Sequence, residues 1–110
     1  MFKKSQRLSR SEFTHFFKVG QRKHFPHCTI INHPYTDFKV AVVVSKKVAK
    51  SAVKRNLYKR RVYALLRKCY EAQAYSGVLI VILKPSFSSL SRKKAEELLI
   101  SYLDFYQNKS

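Results

Sequence analysis

The six residues "VLIVIL" at positions 78–83 constrain the fold more than any other stretch of this chain. The run is far shorter than the roughly 20 apolar residues of a membrane span. Its Val and Ile content fits a strand, with Gly77 closing a turn before it and Pro85 stopping it. The run does not alternate with polar residues. Both faces of the strand are apolar, which places it in the middle of a sheet. The 110 residues around it make one domain, 1–110; 45% are apolar and fifteen are Phe or Tyr, enough for a modest packed core.

Helices and further strands follow from local pattern. In "LSRSEF", Ser9 and Glu12 have the S-x-x-E spacing of a capping box, with Leu8 and Phe13 at the two staple positions. Phe13, Phe16 and Phe17 fall on one face of the helix that follows, and Gly20 can end it in a left-handed conformation. "CTII" at 28–31 and "FKVAVVV" at 38–44 are rich in β-branched residues and flank the turn-forming "NHPYTD". They are expected to form an antiparallel pair, with a short extra strand near 22–25. Ser51 can cap a long helix to about residue 74, whose Tyr58, Val62, Leu65, Leu66 and Cys69 make a core-facing stripe. A last helix, about 91–107, turns Ala95, Leu98, Leu99, Tyr102 and Tyr106 inward. The order α, β, β (with a third β if the short strand forms), α, β, α describes a single sheet with helices packed on it, an α+β domain.

The charge is distributed unevenly. Basic residues number 23 and acidic residues six, a formal net charge of +17. Repulsion of that size opposes compactness unless a polyanion normally neutralises it. Eleven of the basic residues lie between Asp37 and Glu71 with no acid among them, densest in "SAVKRNLYKRR" at 51–61. A merely solvated helix face mixes Glu with Lys at i, i+4; this one does not. Asn56, Arg60 and Arg67 share the face opposite the apolar stripe, flanked by Lys59. Such a face tracks phosphate, and Asn56 adds a group that can both donate to and accept from a ribose hydroxyl or a base edge. Phe stripes at helical spacing are usually core. Three large rings on one short helix can still leave one at the sheet edge to stack on an unpaired base.

Other classes of function fit less well. Two-metal phosphoryl chemistry needs several convergent carboxylates, and six scattered acids form no D-x-D or E-x-x-H pattern. Glu96 and Glu97 are neighbours, so they leave a helix in different directions. His24, His27 and His33 suit ordinary surface positions better than a catalytic or metal-binding role. Cys28 and Cys69, far apart and without C-x-x-C spacing, read as buried thiols of a reducing cytoplasm. The N-terminus lacks the apolar core of a secretory signal.

With these residues in hand, the sequence resembles the protein subunit of bacterial ribonuclease P over nearly its whole length. The likeness rests on "RLSRSEFTHFFKVG", on "VAVVVSKKVAKSAVKRNLYKRR", and on "GVLIVILKP" followed by a helix. Its specific part is Ser45, Lys46 and Lys47 after a strand, then Ala52, Val53, Arg55, Asn56, Lys59 and Arg60 on the next helix. Leu57 and Tyr63 stand where the family commonly has Arg. The resemblance implies an αβββαβα order, a central mixed sheet of about four strands and a left-handed βαβ crossover. It implies a ribonuclease P RNA as catalyst and partner, precursor tRNA as substrate, Mg2+ held mainly through the RNA, a cytoplasmic setting, and no required protein partner. The family's RNA-binding positions fall on Lys47, Lys50, Lys54, Arg55, Asn56, Lys59, Arg60 and Arg67. Its cleft for the single-stranded 5′ leader falls on Phe13, Phe17, Ile31, Val43 and Lys46. No residue of this chain is expected to be catalytic or to hold a metal alone. A structural RNA-binding protein without a catalytic assembly is the alternative reading. A membrane-surface binder would need exposed large apolar residues on its basic helix, where the core claims them.

Overall fold

A computed structural model describes residues 7–73 and 77–107, the side chains of 69–73 and 104–107 excepted. The described elements are α1 (Arg10–Val19), β1 (Gln21–His24), β2 (Cys28–His33), β3 (Phe38–Val43), α2 (Ala52–Gln73), β4 (Gly77–Leu83) and α3 (Arg92–Gln107), with a short 3-10 turn at Pro85–Ser89 before α3. They form the α+β domain expected from the sequence, three helices on one four-stranded mixed sheet. Cys69 and Tyr106, two expected inward residues, have side chains outside the described set.

The strand order is β1-β2-β4-β3. β4 pairs antiparallel with β2 and parallel with β3. The expected antiparallel pairing of β2 with β3 is therefore corrected: β4 lies between them. The physical reason is its composition. Val78, Leu79, Ile80, Val81 and Leu83 are all buried, and only the central position covers both faces and both edges of such a strand. Each fully buried Val, Leu or Ile contributes about 1.5–3 kcal/mol, so a register that exposed one face of β4 would forfeit several such contributions.

Alternation along the strands sorts the core into two layers. On one face Cys28, Ile30, Phe38, Val40, Val42, Leu79, Val81 and Leu83 meet Val62, Leu65 and Leu66 of α2 and Ala95, Leu99, Tyr102 and Leu103 of α3. Phe25 stacks on Tyr102 with ring centroids 4.2 Å apart. Cys28 is a free thiol in this layer, and burial pushes its pKa up to about 12. On the other face Ile31, Val78 and Ile80 take Phe16 of α1. α1 begins as the sequence predicts: the Ser9 hydroxyl accepts from the Glu12 N–H, and the Glu12 carboxylate accepts from the Ser9 N–H at 2.9 Å.

β3 is an edge strand, and its outer edge is closed in two places. The Leu8 N–H donates to the Val40 carbonyl at 3.2 Å, and the Val42 N–H donates to the Tyr63 hydroxyl at 3.1 Å. Tyr63 thus satisfies a strand edge that would otherwise template pairing with another chain. An Arg has no acceptor to offer that N–H.

Gly20 differs from expectation. Its φ of −68° and ψ of 153° are extended, not left-handed. Glycine is required there by space. A Cβ at this position would collide with the Ile31 side chain and lie 2.7 Å from the Phe16 carbonyl oxygen. Gly77, by contrast, has a φ of 117° and does use glycine's conformational freedom.

α1 is pinned at its other end by charge. Lys39 of β3 donates to Glu12 at 2.6 Å, with the two side chains retaining 18% and 29% exposure. The bond from Lys39, aided by that from the Ser9 N–H, holds the Glu12 carboxyl below its ordinary 4.5, and the same contact raises Lys39 above 10.5. The carboxylate's contribution to stability is complete above pH 4.5 and is lost as pH falls through its lower folded-state value. The ammonium's contribution is complete below pH 10.5 and is lost as pH rises through its higher one.

Both features give expected outcomes. Gly20→Ala destabilises the fold by about 1–3 kcal/mol through overpacking, read as a lower urea midpoint; an unchanged midpoint would mean that the helix end yields freely. Glu12→Gln keeps an acceptor for the cap but loses the ion pair. Its urea midpoint lies below that of the parent chain at pH 7, and the gap narrows as pH falls toward 3. A gap of equal size at both pH values would contradict the assignment.

Candidate nucleic-acid interface

α2 grows out of the loop that follows β3. The Ser45 carbonyl accepts from the Val48 and Ala49 N–H groups, turning the chain and leaving Lys46 and Lys47 exposed. Ser51 starts the helix: its hydroxyl accepts from the Lys54 N–H at 3.4 Å and its carbonyl from the Arg55 N–H. Arg55 then folds back, donating to the carbonyls of Ala49 at 3.0 Å and Lys50 at 2.7 Å. This braces the loop against the first turn of α2. It fixes the positions of Lys47 and Lys50 relative to the helix and leaves the remaining guanidinium N–H groups for a partner.

Along α2 one side is core and the other is charge. Val62, Leu65 and Leu66 are buried, and Tyr58 meets Phe87 edge to face with centroids 5.6 Å apart. Lys54, Asn56, Arg60 and Arg67 are exposed, while Arg55, Lys59 and Arg61 are half-buried. Leu57 is also half-buried. Asn56, Arg60 and Arg67 share the side of α2 opposite its buried stripe, Arg55 and Lys59 flank the stripe, Lys54 leaves the first turn in another direction, and Lys47 and Lys50 lie in the loop that leads to the helix. The ion pairs Lys39–Glu12 and Arg92–Glu96 both lie off that side. Val53 sits on it with 75% exposure.

The expected leader positions lie on the opposite face of the sheet. α1 crosses over Ile31, Val78 and Ile80. Val43 and Ile82, paired across β3 and β4, are half-buried, and they and Phe13 pack against the cluster of Phe16, Ile31, Val78 and Ile80. The three rings of α1 form a series. Phe16 is buried at 7% exposure, Phe13 is intermediate, and Phe17 is 36% exposed with its ring centroid 5.7 Å from that of Phe13. Lys46 is exposed in the loop beyond the end of β3. Ile31 departs from the expectation. At 0% exposure, wedged under Phe16 and against Gly20, it is floor beneath the helix and offers no accessible wall.

Arg22 was not singled out by the sequence. Its guanidinium donates to the Phe17 carbonyl at 2.7 Å and lies 4.5 Å from the centroid of the Phe17 ring. One cation thus holds the end of α1 and the orientation of its exposed ring. The signal was latent: once β1 pairs with β2, Arg22 stands opposite Ile31 and on its face. Among the described residues no three His, Cys, Asp or Glu side chains come together to hold a metal. His24 pairs with Thr29 at 2.9 Å and His27 with Ser86 at 2.8 Å.

Chemically, the molecule offers a strip of fixed and mobile cations on one helix, and an exposed aromatic ring backed by a cation on the far side of the sheet. It offers no convergent carboxylates among the described residues. Comparison with known proteins fits this arrangement. The sequence profile of the family Ribonuclease P matches residues 2–106. The ribonuclease P protein component of a Nitratiruptor species is 29% identical over 96 residues, covering 87% of this chain and 86% of that one. That of Mycoplasmopsis pulmonis is 31% identical over 71 residues, covering 64% and 63%. The fold matches the solved RNase P protein of Staphylococcus aureus with a TM-score of 0.83 at 20% identity, covering 94% of this chain and 96% of that one. For the Thermotoga maritima protein the values are 0.76 at 23% identity, covering 88% and 94%. The chain belongs to the ribonuclease P protein family.

Proposed function

We propose that this chain is the protein subunit of a ribonuclease P holoenzyme. It docks on the catalytic RNA through the outward face of α2 and receives the 5′ leader of precursor tRNA beside α1. In this role it assists the magnesium-dependent endonucleolytic cut that leaves the mature tRNA 5′ end. The observation that carries the reading is the stretch of α2 from Ala52 to Lys68, which holds no acidic residue and in which exposed Lys54, Asn56 and Arg60 flank half-buried Arg55 and Lys59. A stretch of that kind neutralises closely spaced phosphates and releases their counterions.

The chemistry belongs to the RNA in this reading. Among the described residues no group of three His, Cys, Asp or Glu side chains is placed to hold a metal ion. Mg2+ is supplied where RNA phosphates hold it. The protein's physical contribution is to screen repulsion between two RNAs and to bind the leader. Phe17 is suited to the second task, since a base stacked on an aromatic ring contributes about 1–3 kcal/mol and Arg22 keeps that ring in place. No described helix is long and apolar enough to cross a membrane. The cytoplasm, where precursor tRNA and the catalytic RNA meet, is the setting this role requires. The assembly needs no second protein.

Two measurements test this. Lys59→Ala weakens binding to a bacterial ribonuclease P RNA and lowers the slope of log affinity against log salt by about one; an unchanged slope removes Lys59 from the interface. In the reconstituted holoenzyme, Phe17→Ala lowers the preference for precursor over mature tRNA by about tenfold while the protein's urea midpoint stays close to that of the parent. An unchanged preference would remove the ring from the leader site.

A further inference from the structure

β3 and β4 run parallel, so both finish at the same end of the sheet, and α2 and α3 both start from there. The turn between β1 and β2 lies at that end too, because His24, Thr29, Ile82 and Val43 stand in one row across the sheet. Residues 44–61 place eight basic side chains at this end and residues 84–95 place four, with no acid in either segment. Seven of the eight belong to α2 and the loop that leads to it, and the eighth, Lys46, is the one expected at the leader cleft. The four are Lys84, Arg92, Lys93 and Lys94, and nothing so far uses them.

We propose that segment 84–94 is a second phosphate-binding surface, continuous with α2, that contacts the same structured RNA. The proposal rests on the reading of α2 as the RNA-docking helix and extends it. Continuity comes from the groove between the helices, where Arg61 of α2 and Arg92 of α3 line one cavity with Tyr58 and Phe87. Shape is fixed in advance. Lys84 donates to the Phe25 carbonyl at 2.7 Å, and Ser86 pairs with His27 at 2.8 Å and donates to the Pro26 carbonyl at 3.3 Å. The segment is thereby tied to the β1–β2 turn, and little ordering cost remains for binding.

Availability of charge follows from the ion pairs. Arg92 shares its charge with Glu96 at 3.5 Å. Lys93 and Lys94 are exposed and pair with no carboxylate among the described residues. The patch is also bounded. One turn further on, α3 presents Glu96, Glu97 and exposed Ile100, so the positive surface belongs to this end of the molecule and not to the helix as a whole. The partner is the structured RNA and not the leader because Phe87 and α3 pack on the same face of the sheet as α2, while α1 and Phe17 occupy the opposite face.

The test is a salt series of binding to a bacterial ribonuclease P RNA with Lys93→Ala/Lys94→Ala, Lys59→Ala and, as a control, Arg10→Ala/Lys18→Ala on the exposed side of α1. The Lys93/Lys94 variant is expected to lower the slope by about 1.5–2 and the control to leave it unchanged, with unchanged urea midpoints. A slope unchanged by Lys93/Lys94 while Lys59→Ala lowers it would overturn the extension and keep the α2 reading. A slope unchanged by both would overturn the two together. An effect no larger than that of the control, or one confined to precursor tRNA binding by the assembled holoenzyme, would also overturn the proposal. Should the alanine pair shift the urea midpoint, Lys93→Gln/Lys94→Gln removes the charge with less loss of side chain and is read in the same way.

Discussion

Burial of both faces of β4 is the constraint from which the rest of the molecule follows. A strand built as Val78, Leu79, Ile80, Val81 and Leu83 has no face that can meet water. It takes β2 on one edge and β3 on the other, and it requires helices above and below. α2 and α3 cover one face and α1 the other. Among the described residues two surfaces stay open as a result: the outer side of α2, turned away from the sheet, and the strip beside α1 where Val43 and Ile82 are only half-buried.

The same topology sorts charge. Because β3 and β4 are parallel, the loops that leave them open at one end of the sheet, and the helices that follow begin there. A basic run in each of those two segments, well separated in the chain, becomes one surface in space. Acidic side chains are used elsewhere: Glu12 in the cap and ion pair of α1, and Glu96 on the second turn of α3. Twelve of the 23 basic residues thus lie in two segments at one end, a concentration of charge suited to steering a polyanion there.

Much of this was legible in the chain. The capping box of Ser9 and Glu12 named the start of α1, and the spacing of Val62, Leu65 and Leu66 named the inner side of α2, because both signals are local. What escaped depends on contacts distant in sequence. β2 and β3 are neighbours in the chain, and only the double-sided burial of β4 forces it between them. Gly20 needed space and not a left-handed turn, which is visible only when Ile31 is known to lie beneath it. Ile31, expected in the leader cleft, is covered by α1. Tyr63 looked like a lost cation on the basic helix. Its hydroxyl instead closes the edge of β3, a role set by the approach of α2 to that strand.

The measurement that tests the account most directly is cleavage of 5′-labelled precursor tRNA at low magnesium by a bacterial ribonuclease P RNA, with the protein, without it, and with the protein alone. The account predicts a cut at the mature 5′ end that depends on both components. Cleavage by the protein alone would contradict it, as would tight binding to the RNA without stimulation once a cognate RNA had been supplied.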